Sequence, residues 1–287
     1  MVMMNIHLPR AAPVDVATSK QILRNHGSLT HHHPISFVRE PLSAALERYM
    51  AMTPDAIVYA SRASRPHVIQ DLVEIGVPFR QYDTNFLGYA TSRSIARTLQ
   101  LDSPAVFVAS ATTKTGSADN IYHIRAAVES CGIAHSSIHL VMDEVYGLLP
   151  FTEKDIALDI VDSFSCSTES FGISSSIGIL AGLDVPDDDT IPQRVTDAII
   201  HADVESVSAA ALRLTVSIFE IFFSRDIPSY ILNGSTVIMV KAPDSIRETY
   251  GLDVHDDWTC IRIFPDTDAG ALTTIVNEIV YYHETSR

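Results

Sequence analysis

The stretch Pro104–Gly182 reads PAVFVASATTKTGSADNIYHIRAAVESCGIAHSSIHLVMDEVYGLLPFTEKDIALDIVDSFSCSTESFGISSSIGILAG. It opens on AVFVAS (Ala105 to Ser110), a short apolar run without polar alternation, as expected of a strand covered on both faces. A helical pattern over Asp119 to Ser130 follows and stops at Gly132. IHLVM (Ile138 to Met142), Ile160 to Ser165 and IGILA (Ile177 to Ala181) read as further strands. Apolar strands separated by amphipathic helices predict an α/β fold with a mostly parallel sheet flanked by helices.

The pattern extends in both directions. Upstream, Leu42 to Met52 has helical spacing, Ala56 to Ala60 and Pro78 to Tyr82 are strands, and Pro66 to Gly76 and Ser92 to Leu101 are helices. Downstream, a long helix over Glu205 to Phe223 leads to strands at Ser235 to Val240 and Thr259 to Phe264 and helices at Asp244 to Tyr250 and Ala269 to Tyr282. The expected organisation is an irregular N-terminal arm (1–34), a large domain (35–200), and a linking helix with a small C-terminal α/β domain (201–287).

Composition narrows the function classes. The 287 residues are 46% hydrophobic and 19% charged, which suits a globular chain with a sizeable core. The formal net charge of -15 disfavours nucleic acid as a partner, since phosphate binding needs clustered Lys and Arg. The acidic run Asp184 to Asp189 is expected to be a solvated loop. Cys131, Cys166 and Cys260 are widely spaced and odd in number, which argues for free thiols and a cytoplasmic location. No spacing predicts a metal centre, and His31-His32-His33 reads as a surface loop. No secretory leader and no membrane-spanning stretch are expected.

Three ordered pieces of Pro104–Gly182 resemble the group II pyridoxal-phosphate (PLP) amino-acid decarboxylases, and among them the histidine and serine decarboxylases. ASATTKTGSADN (Ala109 to Asn120) is similar to the family's Thr-Thr-x-x-Gly-Ala-x-Asp element. HLVMDEVYG (His139 to Gly147) is similar to the strand whose Asp meets the cofactor ring nitrogen. DSFSCSTESFG (Asp162 to Gly172) is similar to the Ser-x-Ser-Gly-His-Lys segment, with Ser176-Ile177-Gly178-Ile179 after it. Weaker similarity covers most of the chain from about residue 35, over an N-terminal region shorter than the family's.

The resemblance implies a PLP fold of type I, a carboxy-lyase ancestry and a homodimer. It assigns Asp143 to the ring-nitrogen position and Thr112 and Thr113 to the paired threonines beside the cofactor. Arg65 falls where the family stacks a histidine, with His67 two residues later. Glu40 lies in Ser36 to Leu42, which matches the phosphate turn, where Arg39 is an alternative anion holder. Ser165 and Ser167 match the serines before the lysine.

The lysine itself is missing. Its position falls at Thr168 or Glu169, neither of which can form an imine. Lys114 is nearest in sequence, but it reads as a loop or surface lysine at a variable position. Pro41 removes an N–H donor from the phosphate turn, and Phe37 and Val38 add bulk where the family has glycines.

PLP is therefore expected by resemblance only. Three readings follow. The first is a pseudoenzyme acting by binding, as a homodimer or in a heteromer with an active paralogue. The second is a repurposed enzyme that takes a small-molecule ligand in the old cleft, using groups among His139, Asp143, Glu144, Ser165, Ser167, Thr168 and Glu169. The third is an active decarboxylase that holds PLP in an unusual way.

Overall fold

The computed structural model describes residues 34–142, 160–167, 177–191, 204–232, 234–263 and 267–286. Two sheets organise them. The larger has seven strands: β1 (Ile35–Arg39), β2 (Ile57–Ser61), β3 (Phe79–Tyr82), β4 (Ala105–Ser110), β5 (Ser136–Met142), β6 (Ser163–Ser167) and β7 (Ile177–Ala181). Their order is β1-β7-β6-β5-β4-β2-β3. Parallel pairing runs from β3 through β2, β4 and β5 to β6, and β7 is antiparallel to both β6 and β1. Six strands thus point one way and β7 alone runs against them.

The central strands explain the direction of the chain. All six residues of β4 are buried. One face carries Phe107, Leu140, Met142 and Phe164 and packs on α3 (Ser92–Ala96) and α4 (Ile121–Cys131). The other carries Val58, Val106, Val108, Val141 and Leu180 and packs on α1 (Pro41–Met52) and α2 (Pro66–Ile75). Helices on both faces are what a doubly buried parallel sheet requires.

The second sheet is antiparallel, in the order β10-β11-β9-β8, from β8 (Ser229–Ile231), β9 (Val237–Val240), β10 (Asp253–His255) and β11 (Trp258–Arg262). Ile238, Val240 and Ile261 join α5 (Val204–Ser224), α6 (Asp244–Tyr250) and α7 (Ala269–Thr285) in a core of their own.

Several elements differ from the sequence expectation. Ser36 to Arg39 is not part of a turn: Ile35–Arg39 is a sheet strand, and only Glu40 turns the chain into α1. The β7 register supplies the reason, pairing Ile35 with Ala181 and Arg39 with Ile177. The helix from Ser92 ends at Ala96, because Thr98 and Leu99 bond three residues back and tighten the last turn. β6 begins at Ser163, not at 160, since the Asp162 carboxylate accepts from the Ile138 amide at 2.7 Å and sets the strand start. The Asp184 to Asp189 loop is docked along β1: Asp187 accepts from the Phe37 amide at 2.9 Å and Asp188 pairs with Arg39 at 3.0 Å. All three cysteines are free thiols. Among the described residues no helix is long and apolar enough to cross a membrane.

Candidate functional site

Six strands with one direction end along one edge of the large sheet, where ligands of open α/β sheets bind. The edge gathers most of the positions expected from sequence. Glu40 follows β1, Arg65 lies in the connection after β2, and Thr112 and Thr113 follow β4. β5 ends at Met142, directly before Asp143, and β6 ends at Ser167, directly before Thr168. Asp143, Glu144, Thr168 and Glu169 themselves lie outside the described residues, as do His31, His32 and His33.

The strand-to-helix turn at Glu40 has a chemistry of its own. Glu40 is exposed and left-handed, with φ 46. Pro41 is the first helical residue, and its ring sits where a Cβ on Gly178 would fall, with Cγ 2.6 Å from that point. A carboxylate and a ring without an N–H stand where an anion would need bare amides. Arg39 does not compensate, because its guanidinium is engaged by Asp188 at 3.0 Å and Thr190 at 3.3 Å.

The loop after β4 is tied to itself. The Thr113, Thr115 and Ser117 hydroxyls form a closed triangle, with Oγ separations of 2.9, 2.8 and 3.1 Å. All three residues are buried. The Thr113 hydroxyl is thus committed to the loop, whereas Thr112 beside it is half-buried. Arg65 is buried at the start of α2, and His67 is exposed.

Lys114 is a loop lysine, as expected, but it is not fully at the surface. Its amide donates to the Ala63 carbonyl at 2.9 Å, and its side chain is half-buried toward the small sheet. Burial holds its ammonium below the ordinary pKa, with Cys260, Asp253 and Asp256 opposing that shift. Asp253 is raised, first by burial and against the pull of Lys114, Arg65 and His67. The Cys260 thiol is pushed up to about 12 by burial, which makes it a poor nucleophile.

Two polar clusters go beyond the sequence reading, which named His139 and Ser165 but not Ser163 or Tyr49, and no member of the second except Asp119 within its helix start. In the first, His139 lies between two hydroxyls, with Nδ1 2.7 Å from Ser163 Oγ and Nε2 2.9 Å from Ser165 Oγ. Tyr49 of α1 closes the relay, its hydroxyl 2.6 Å from Ser163 Oγ and its pKa raised to about 12, chiefly by burial. The Ser165–His139 separation suits a nucleophile and a base. Yet Ser165 is 2% exposed and His139 0%, so no substrate reaches the pair. The relay is a satisfied polar seam between α1, β5 and β6.

The second cluster is Asp119 with Ser61, Tyr82 and Ser110, at the ends of β2, β3 and β4. Asp119 Oδ2 accepts from the Ser110 amide at 2.8 Å. Asp119 Oδ1, the Tyr82 hydroxyl and Ser110 Oγ are all buried and make no hydrogen bond of good geometry. Burial lifts the Asp119 carboxyl to about 7, against the pull of the Ser110 amide and the nearby Tyr82 and Ser61 hydroxyls. The available signal was the pair Asp119-Asn120 at a helix start, where Asn120 alone supplies the cap.

No protein-family model matches the chain, and no curated protein matches it. Solved structures share its fold. Oryza sativa TDC with PLP and tryptamine aligns at a TM-score of 0.71 and 8% identity, over 93% of this chain and 75% of that one. A NifS-like protein aligns at 0.66 and 11% identity, over 93% and 87%. Burkholderia pseudomallei sphingosine-1-phosphate lyase aligns at 0.64 and 11%, over 93% and 75%. The large sheet and its flanking helices are thus the architecture of PLP enzymes of fold type I.

Proposed function

We propose that this chain is a pseudoenzyme homologue of PLP-dependent amino-acid decarboxylases, acting by binding or dimerisation without a covalently held cofactor. One observation carries the reading: the stretch from the start of β6 to the end of β7, residues 163–181, contains no lysine. The chain has four lysines in all, Lys20, Lys114, Lys154 and Lys241, and none lies between 154 and 241. An imine to PLP needs an amine at the end of β6, and the hydroxyl and carboxyl of Thr168 and Glu169 supply none.

The residues present do not fit the cofactor elsewhere either. Its phosphate would meet Glu40 and the Pro41 ring, and the Thr113 hydroxyl is already bonded within its loop. The lysine, the phosphate turn and the stacking histidine, replaced near Arg65, depart together, and loss at three separate segments supports relaxed selection on PLP chemistry better than a local rearrangement does. The partner is a second copy of the chain or an active paralogue, in keeping with the dimers that the resemblance implies.

The test is carbon dioxide release from L-histidine and L-serine with added PLP. Release at the level of free PLP is expected. Release above that level, lost on Lys114→Arg, would overturn the reading. Sedimentation of the chain alone and with an active decarboxylase tests the binding role. A monomer that captures no partner counts against it.

A further inference from the structure

Asp119 occupies an unusual place for an acid. Its amide donates to the Ser110 carbonyl at 2.9 Å, and its carboxyl takes the Ser110 amide in return. This reciprocal pair closes the loop 111–118 at its base. The groups that face the carboxyl are Ser61 from β2, Tyr82 from β3 and Ser110 from β4. None is a cation. Tyr82 is itself driven well above its ordinary pKa, first by burial and then by Asp119, so it stays neutral.

The loop that Asp119 closes also bridges to the small sheet, beside the His255 contacts with Thr84 and Asn85. Arg262 of β11 donates to the Thr113 carbonyl at 3.1 Å. Gly116, at φ 85, lies against Ser235 so closely that a Cβ there would collide with the serine hydroxyl. Thr115 donates to the Leu87 carbonyl at 2.8 Å, and Leu87 packs on Val237, Met239 and Cys260. Whatever loosens the base of the loop therefore loosens the seam between the two sheets.

We propose that Asp119 is a pH-operated catch, which holds loop 111–118 and the small sheet closed when its carboxyl is protonated and weakens that closure when it ionises. A protonated carboxyl is neutral in a dry site beside the Tyr82 and Ser61 hydroxyls. The ionised form leaves a charge there with no counter-cation among the described residues, and opening of the loop lets water reach it. The idea is independent of PLP, since no atom of the cofactor enters it.

The sign of the linkage follows from a carboxyl that binds its proton more tightly closed than open. The open population rises about tenfold per pH unit from about pH 4 until the closed form itself ionises, then levels off. Amide hydrogen exchange of peptides spanning residues 111–118, corrected for intrinsic exchange, reads this directly. Protection in the wild-type chain is expected to fall by about tenfold per unit between about pH 5 and about pH 6. In Asp119→Asn it is expected to stay flat. Equal profiles in the two proteins would overturn the proposal.

A second measurement needs no variant. Carbon-13 NMR of carboxyl-labelled wild-type chain is expected to show one aspartate that titrates well above the rest. If every aspartate titrates in the ordinary carboxyl range, the catch does not exist.

Discussion

His139 and Ser165, on adjacent parallel strands, are joined by a 2.9 Å hydrogen bond from ring Nε2 to hydroxyl Oγ, and both are buried. The spacing resembles a base with its nucleophile, but the burial assigns it to architecture. His139→Leu keeps the volume and removes both ring nitrogens. It would leave Ser163 and Ser165 hydroxyls with lost partners in the core, at a cost of about 2 to 4 kcal/mol. Urea denaturation with an unchanged m-value would register this as a lower midpoint. Unchanged stability would remove the seam from the account.

Asp119 makes the fold sensitive to pH in a definite direction. Its folded-state carboxyl is at about 7, against an ordinary 3.8. The folded state thus holds a proton that the unfolded state has lost over that interval. The associated stability is complete below the ordinary value, declines as pH rises, and levels off above about 7. Asp119→Asn removes this dependence, and its Oδ1 still accepts from the Ser110 amide. Relative to wild type, the variant should gain about 1.4 kcal/mol per pH unit across the window, to an upper bound of about 4 kcal/mol. Melting temperatures of both proteins across the window would check it.

Two glycines separate backbone strain from steric closure. Gly76 and Gly116 both have positive φ, 74 and 85. A Cβ on Gly76 meets nothing within 4 Å, whereas one on Gly116 collides with Ser235. Gly76→Ala should cost about 1 to 2 kcal/mol, the left-handed penalty alone. Gly116→Ala should cost more, and should also speed hydrogen exchange in β9. Equal costs with no effect on β9 would count against the seam described for loop 111–118.

The sheet framework was legible because its evidence is local. Contiguous apolar runs place β4 and β7 at the residues where they are found, Ala105–Ser110 and Ile177–Ala181. β1 was hidden because its pairing partner, β7, lies far along the chain and the intervening pattern gives no hint of it. The contacts of the polar clusters were hidden for the same reason, although His139 and Ser165 were candidates from sequence. Ser61, Tyr82 and Ser110 converge through the strand order β4-β2-β3, and His139 meets Ser163 through the β5–β6 register. No window of sequence contains either relationship. The missing lysine is the opposite case: it is read from sequence alone.

The central claim is that no lysine of this chain holds PLP. Absorbance of the purified protein after incubation with PLP and removal of free cofactor tests it most directly. No imine band is expected, and none after borohydride trapping. A stable imine band abolished by replacing one lysine, Lys114 being the first to try, would contradict it.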